Sequence, residues 1–316
     1  MKRQYVADLV EGDVINDYFV AARKDLRDTQ NGGKFLGMVF KDRTGDIGGV
    51  MWNNAVSVAK LFELGDVVNV RGTIQSYQDR LQVRVDQVVP LKDEDFDTTD
   101  LVNAPEEAKS ASEGFIKLLG TITDPHLKEL VDAFLADTSI MERFKAAAAG
   151  KKWHHAYHGG LIQHCWEMSQ IAETMCGLFP NLNRDLLLTG VFLHDIGKIE
   201  ELSSGMFVDY TTSGKLIGHL EQGCMMANRK MDAIQDYPES LRNQILHFIL
   251  SHHGEQELGS PVVPKTLEAI VLHHIDNLDA QTNAYDNVIT QAKDKGQEWT
   301  EYIGMIQRQI WTRGGA

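Results

Sequence analysis

The hydrophobic pattern changes character about a third of the way along this chain. In the first ninety residues, DVINDYFVAA, KFLGMVFKD, DIGGVMW, DVVNVRGTI and LQVRVDQVV are rich in β-branched and aromatic residues and alternate in part between apolar and polar. They are separated by the turn-forming NGG, RTGD, LGD and YQD, so each reads as a strand. Between the third and fourth, NAVSVAKLFEL places Val56, Ala59, Leu61, Phe62 and Leu64 at near-helical spacing. From about residue 113 the two-residue period gives way to apolar spacings of three and four, as in HLKELVDAFLAD, LIQHCWEMSQIAETMCGLF, RDLLLTGVFLHDIGKI and LRNQILHFILSHH. The expectation is a β domain followed by an all-helical one.

Five strands with one helix between the third and fourth are the element order of a five-stranded OB-fold barrel, assigned to residues 1–90. Residues 91–112, acidic and interrupted by Pro105, read as a solvated linker that merges into a helix. Residues 113–316 form the helical bundle, and 316 residues suffice for two domains with separate cores.

Charge sharpens this division. Residues 1–90 hold 12 basic and 12 acidic side chains; the remainder holds 19 and 33 and carries the whole net charge of −14. Such a body repels a polyanion, so a role with nucleic acid has to come from a local site. Cys165, Cys176 and Cys224 are odd in number and lack a C-x-x-C pair, which points to reduced, buried thiols. No apolar run approaches the ~20 residues of a membrane helix, and the opening MKRQYVADLVEGDV carries no export signal; the expected location is the cytoplasm.

The histidines carry the chemistry. None of the 12 falls in the barrel region, and eleven lie between 154 and 274. They recur on apolar helical segments beside acids: His164 in GGLIQHCWE, His194 and Asp195 in FLHDIGK, His219 in IGHLEQG, His252 and His253 in LSHHGE, and Asp276 in LHHIDNLD. Burying so many imidazoles and carboxylates unpartnered would cost a few kcal/mol each, a cost that a shared metal ion removes. The donor mixture suits a divalent Mn, Fe, Co or Zn ion better than an all-oxygen Mg or Ca site. On a helix, His194 and Asp195 would stand about 100° apart and reach one ion over their shared edge. Lys198 would share their face. Lys151, Lys152, His154, His155 and His158 in KKWHHAYHGG are candidates for holding substrate phosphates or, for His158, protonating the leaving oxygen. Glu167, Glu221 and Asp279 are candidates for orienting imidazoles, and His273 for supporting the site from one turn before Asp276.

The ordered set H…HD…H…HH…D over roughly 150–280, with its GGLIQH and HDIGK neighbourhoods, resembles the HD-domain metal-dependent phosphohydrolases. That resemblance implies one ion on His164, His194, Asp195 and Asp276. A second ion would be bridged by Asp195 and held by His219, His252 and His253. It also implies a phosphate contact at Lys198. The whole-chain order, a barrel followed by an HD domain, together with FKAAAAGKKWHHAYHGGLIQH, is similar to the YhaM family of bacterial 3′→5′ exoribonucleases. Membership would imply manganese- or cobalt-supported release of 5′-mononucleotides from RNA, and from single-stranded DNA. In the barrel, Tyr18, Phe19, Phe35, Phe40, Trp52 and Tyr77 are the available aromatics; most must fill the core, and Trp52 and Tyr77 are the candidates for stacking on bases.

Two other readings fit the same residues. One is an HD-type hydrolase of nucleotides or cyclic dinucleotides with a regulatory barrel. The other is a non-catalytic nucleic-acid-binding scaffold. The sequence leaves RNA or DNA preference, ion number and any homo-oligomeric state open.

Overall fold

A computed structural model of the protein describes residues 2–28, 32–78, 80–92, 95–97, 100–101, 106–151, 155–203, 208–304 and 306–312. They fall into two compact units, one drawn from 1–104 and the other from 105–204 and 208–316.

The first unit is a closed barrel of β1 (Val14–Asp28), β2 (Lys34–Asp42), β3 (Gly45–Met51), β4 (Val67–Tyr77) and β5 (Arg80–Pro90), with the order β1-β2-β3-β5-β4. Neighbours are antiparallel except β3 and β5, which run parallel, and β1 pairs with both β2 and β4 to close the cylinder. The two-residue period sends Ile15, Phe19, Leu36, Phe40, Val70 and Val83 inward, all fully buried. Gly49 and Gly72 let strands pass closely: a Cβ would strike the Phe40 ring at the first and the Arg84 carbonyl at the second.

Two sequence expectations change here. The helix between β3 and β4 shrinks to the single turn α1 (Ala55–Val58): Val56, Leu61 and Leu64 face solvent, while Ala55 and Phe62 are buried in the core and Val58 and Ala59 pack partly against it. The acidic stretch after β5 is not wholly solvated. Its Leu91, Phe96 and Leu101 cover the outward face made by Tyr18, Val20 and Val67. Buried Asp100 accepts hydrogen bonds from the hydroxyls of Tyr5 (2.5 Å) and Tyr18 (2.6 Å). An apolar outer face on β1 needs such a cover.

The second unit contains α2 (Glu106–Leu119), α3 (Pro125–Leu135), α4 (Thr138–Ala146), α5 (Gly160–Leu178), α6 (Arg184–Leu193), α7 (Lys198–Glu201), α8 (Thr212–Ile217), α9 (His219–Asp232), α10 (Glu239–Ser251) and α11 (Leu267–Asp294). Carboxylate, amide or hydroxyl N-caps from Asp124, Asp137, Asn183 and Thr266 start α3, α4, α6 and α11. α4 and α8 were not legible as separate helices, and α2 begins earlier than the pattern suggested. Every residue of α6 from Leu186 to Leu193 is buried, which accounts for its unbroken apolar run. Phe192 sits at its hub, meeting Phe115, Phe134 and Phe144 edge-on at centroid distances of 6.0, 5.8 and 5.4 Å. α6 therefore delivers its C-terminal His194 and Asp195 into the middle of the unit.

Past α11 the chain leaves the helical pattern, with isolated antiparallel bridges joining Trp299 to Trp311 and Ile303 to Arg308. Cys165 and Cys224 are buried free thiols; Cys176 is only half-buried, on the outer part of α5. Among the described residues no helix is long and apolar enough to cross a membrane.

Candidate metal centre

Five segments bring their donors to one buried place. His164 comes from the middle of α5 and Asp276 from α11. His194 and Asp195 occupy a tight turn between α6 and α7 rather than a continuing helix, since the amide of Lys198 bonds the Asp195 carbonyl at i−3. His219 opens α9, and His252 and His253 follow the end of α10. Gly197 lies where a side chain would collide with the His219 carbonyl, so the HDIG glycine is what allows α9 to start against this turn.

Donor spacings are uniform. His164 Nε2 lies 3.2 Å from Asp276 Oδ1, and His194 Nε2 lies 3.3 Å from Asp195 Oδ2. The other Asp195 oxygen, Oδ1, is 3.4 Å from His252 Nε2 and 3.5 Å from His219 Nε2, and the Nε2 atoms of His219 and His253 are 3.3 Å apart. Ligands that share an ion at about 2.0–2.2 Å lie roughly 3–3.5 Å from one another. His164–His194–Asp276 and His219–His252–His253 are each compact enough to hold an ion; His155–His164–Asp279 is as compact, but there both imidazoles are taken up in hydrogen bonds to Asp279 Oδ2. Asp195 turns one oxygen toward each of the first two. His194 Nε2 and Asp195 Oδ1 are sealed from water and make no hydrogen bond of acceptable geometry, an arrangement that costs free energy unless a cation completes it. The residues fit a divalent metal.

Four imidazoles are held by their other nitrogen. His194 Nδ1 bonds the Val191 carbonyl and His252 Nδ1 the Ile249 carbonyl, both at 2.9 Å. His164 Nδ1 meets Asp279 Oδ2 at 2.6 Å, and His219 Nδ1 meets Glu201 Oε1 at 3.0 Å. At His194, His219 and His252 the Nδ1–H donor leaves Nε2 as a lone pair aimed at the centre, and at His164 the same tautomer follows once the proton on Nε2 is displaced. Asp279 thus does orient an imidazole; Glu221 is exposed and does not, and Glu201 takes that place for His219. Nothing in the sequence singled out Glu201 beyond its position in HDIGKIEE. His273 Nδ1 bonds the His252 carbonyl at 2.7 Å, beside Gly254, whose φ of +86° and contact with the His273 ring exclude a side chain.

Lys198 Nζ is 2.5 Å from Asp195 Oδ2. Burial opposes the Asp195 charge, but Lys198 and His194 hold the carboxyl well below the usual range. Burial likewise opposes the Lys198 charge, and Asp195 overcomes it and raises the amine. Burial lowers His252, and burial with the nearby His252 lowers His253 to about 3, so both present neutral imidazole. At His164 burial is outweighed by hydrogen bonds to Asp276 and Asp279, which raise it to about 9. In the ion-free chain that proton lies where a cation would replace it.

The segment before α5 divides differently from expectation. His155 is fully buried, its Nε2 2.9 Å from Asp279 and its Nδ1 2.9 Å from the Tyr157 hydroxyl, so it is closed to substrate. This corrects its assignment as a phosphate contact. His158 is exposed on the turn leading into α5. Lys151 is paired with Asp209 at 2.6 Å. Lys152 and His154 lie outside the described residues. On the barrel, Trp52 is 55% and Tyr77 60% exposed, Trp52 packing on Phe35 at 4.9 Å. Tyr77 borders a groove of about 840 Å³ together with Val39, Ile47, Gly48, Arg80 and Gln82.

Residues 161–281 match the HD domain model, and residues 19–91 match the model described as OB-fold nucleic acid binding domain. The chain therefore joins a barrel of nucleic-acid-binding type to an HD domain, the class of metal-dependent phosphohydrolases. Among solved structures, the second OB-fold domain of replication protein A from Methanococcus maripaludis is similar at 20% identity, covering 28% of this chain and 94% of that one, with a TM-score of 0.25. The p204 HINb domain matches at 16% identity over 28% of this chain and 46% of its own, TM-score 0.24. RecG bound to a three-way DNA junction matches at 14% identity over 64% and 32%, TM-score 0.25. The chain spans half or less of the last two, and likenesses this slight carry no argument about function.

Proposed function

We propose that the protein is a metal-dependent 3′→5′ exonuclease that shortens single-stranded RNA, and single-stranded DNA, to 5′-mononucleotides, with manganese as its principal ion. The observation that carries this reading is Asp195, one carboxylate oxygen turned to each of two donor groups, in a chain that also bears a nucleic-acid-binding barrel. The polarity and the manganese rest on the resemblance to the YhaM family.

In this reading His164, His194, Asp195 and Asp276 would hold one ion, and Asp195, His219, His252 and His253 would hold a second. Such ions supply Lewis acidity and a bound water whose pKa falls toward neutrality, which dispenses with a protein nucleophile. Lys198 keeps Asp195 ionised, and an ammonium carries three N–H donors, so the same group also contacts a substrate phosphate. His158, exposed before α5, donates the proton taken up by the departing 3′-oxygen. Lys151 exchanges Asp209 for a phosphate, an exposed pair of this kind being weak. Trp52 and Tyr77 stack on bases of the incoming strand.

The test is 5′-labelled RNA incubated with Mn²⁺. A ladder of shortening products that disappears in Asp195→Ala is expected. An intact substrate, or a ladder unchanged by that substitution, refutes the proposal. Turnover of a cyclic dinucleotide that survives deletion of residues 1–90, without any ladder, would replace it with the nucleotide-hydrolase reading.

A further inference from the structure

Asp279 accepts two imidazoles on one oxygen. Oδ2 takes His164 Nδ1 at 2.6 Å and His155 Nε2 at 2.9 Å. The first contact fixes the tautomer and ring angle of a residue whose Nε2 faces Asp276. The second comes from a side chain with no exposure at all, reached at a cost in backbone conformation. His155 has a φ of +42°, in the left-handed region that a residue with a Cβ occupies only when its surroundings enforce it.

Those surroundings are specific. The His155 amide donates to Asn283 Oδ1 at 3.0 Å, and its carbonyl accepts from the Ala149 amide at 3.1 Å. That carbonyl crosses the first turn of α5 so closely that a Cβ on Gly160 would collide with it. Gly159 is itself left-handed, with φ of +82°. The tract HHAYHGGLIQH thereby acquires a physical reading. Gly159 and Gly160 admit the His155 backbone, His155 holds Asp279, and Asp279 holds His164. Strain of this kind persists where it serves a site.

Resting on the metal-centre reading above, we infer that His155 and Asp279 act as a coupled pair of positioning residues. They set the ion affinity of the group containing His164 and touch neither ion nor substrate. A carboxylate that holds one imidazole alone can rotate about its Cβ–Cγ bond; a second N–H donor on the same oxygen removes that freedom, so His164 presents Nε2 in one direction. Outer-shell partners of this type are worth roughly 10–100-fold in metal affinity.

The experiment measures Mn²⁺ binding to the full-length chain by competition with a chromophoric chelator, alongside the electron paramagnetic resonance spectrum of the bound ion. His155→Ala and Asp279→Asn should each weaken the tightest site by roughly 10–100-fold, and the double variant should lose no more than the worse single one. His155→Gln, which keeps an N–H donor, should restore part of the loss. His247→Ala, which removes a histidine of the same unit that bonds the Lys265 amide instead, should bind as wild type does. Near-ultraviolet circular dichroism of each ion-free variant separates lost affinity from lost fold. If His155→Ala is folded and retains wild-type affinity and spectrum, the pair is packing and the inference fails, while the nuclease reading stands. If the wild-type chain binds no Mn²⁺, the reading beneath it fails as well.

Discussion

Removing the Asp195 carboxylate should expose how the ion-free centre is balanced. Asp195 is 2% exposed, and the Lys198 ammonium, at 2.5 Å, has only 11% of its side chain in contact with solvent. At an effective dielectric near 20 the gross attraction over that distance is about 6–7 kcal/mol, most of it offset by the desolvation of both groups. Deleting one partner leaves the other buried and uncompensated, which typically costs about 3–5 kcal/mol. Asp195→Ala should therefore lower ion-free stability by that amount. Lys198→Met should cost a similar amount, since the imidazoles of His194, His219 and His252 turn Nε2 lone pairs rather than donors toward the Asp195 carboxylate. The double variant should be more stable than the sum of the singles requires, with a coupling of at least ~1 kcal/mol. Urea unfolding followed by circular dichroism in chelating buffer, on all four proteins, gives the cycle directly. Additivity within about 0.5 kcal/mol would refute the claim that this pair is a buried, mutually dependent unit. The same four proteins titrated with Mn²⁺ add a second check. Wild type should gain about 2.7 kcal/mol at a hundredfold excess over Kd, and Asp195→Ala should gain much less.

Three further outcomes are expected. Trp52→Ala and Tyr77→Ala should each weaken binding of a single-stranded oligonucleotide by about 1–3 kcal/mol, measured by fluorescence anisotropy, while hydrolysis of a dinucleotide is spared; an unchanged Kd places the strand elsewhere. Phe192→Ala should destabilise the helical unit by about 3–5 kcal/mol and Phe192→Leu by much less, read by thermal unfolding, because three rings pack on it two residues before His194. Asp185 braces the segment entering α3, accepting from the amides of Thr123 and Asp124, each at 2.8 Å; burial opposes its charge, and those bonds overcome it and depress its pKa. A depressed carboxyl contributes stability that is present above its unfolded value of about 3.9 and lost as pH falls through the folded value. Asp185→Asn should therefore cost about 1–2 kcal/mol at pH 7 and progressively less below pH 4, and equal losses at pH 7 and pH 3 would contradict this bracing role.

The β domain was legible because partial alternation and turn signals mark each strand, and Phe19, Phe40 and Val70 point where a two-residue period sends them. The seven residues that converge at the candidate metal centre were legible for a related reason: titratable residues on apolar helical stretches have few bland explanations. Their supports were harder to read. Glu201 differs in no local property from Glu200 beside it, and only the turn made by Gly197 brings it under His219. His155 looked like a solvent-facing member of a basic loop, because nothing in its neighbours announces a left-handed backbone tucked over α5. The cover on the barrel was hidden by composition, with Phe96 and Leu101 submerged among acids. Short helices such as α8 escape notice since six residues hold too few turns to show a period.

The five donor-bearing segments are strung between residues 164 and 276, and the last of them belongs to α11, the last helix among the described residues. During synthesis the barrel leaves the ribosome before α11 does, so a growing polypeptide holds its barrel well before it holds the full set of donors. A message that is broken or stalled upstream of the codon for Asp276 thus yields a barrel beside an incomplete set of donors.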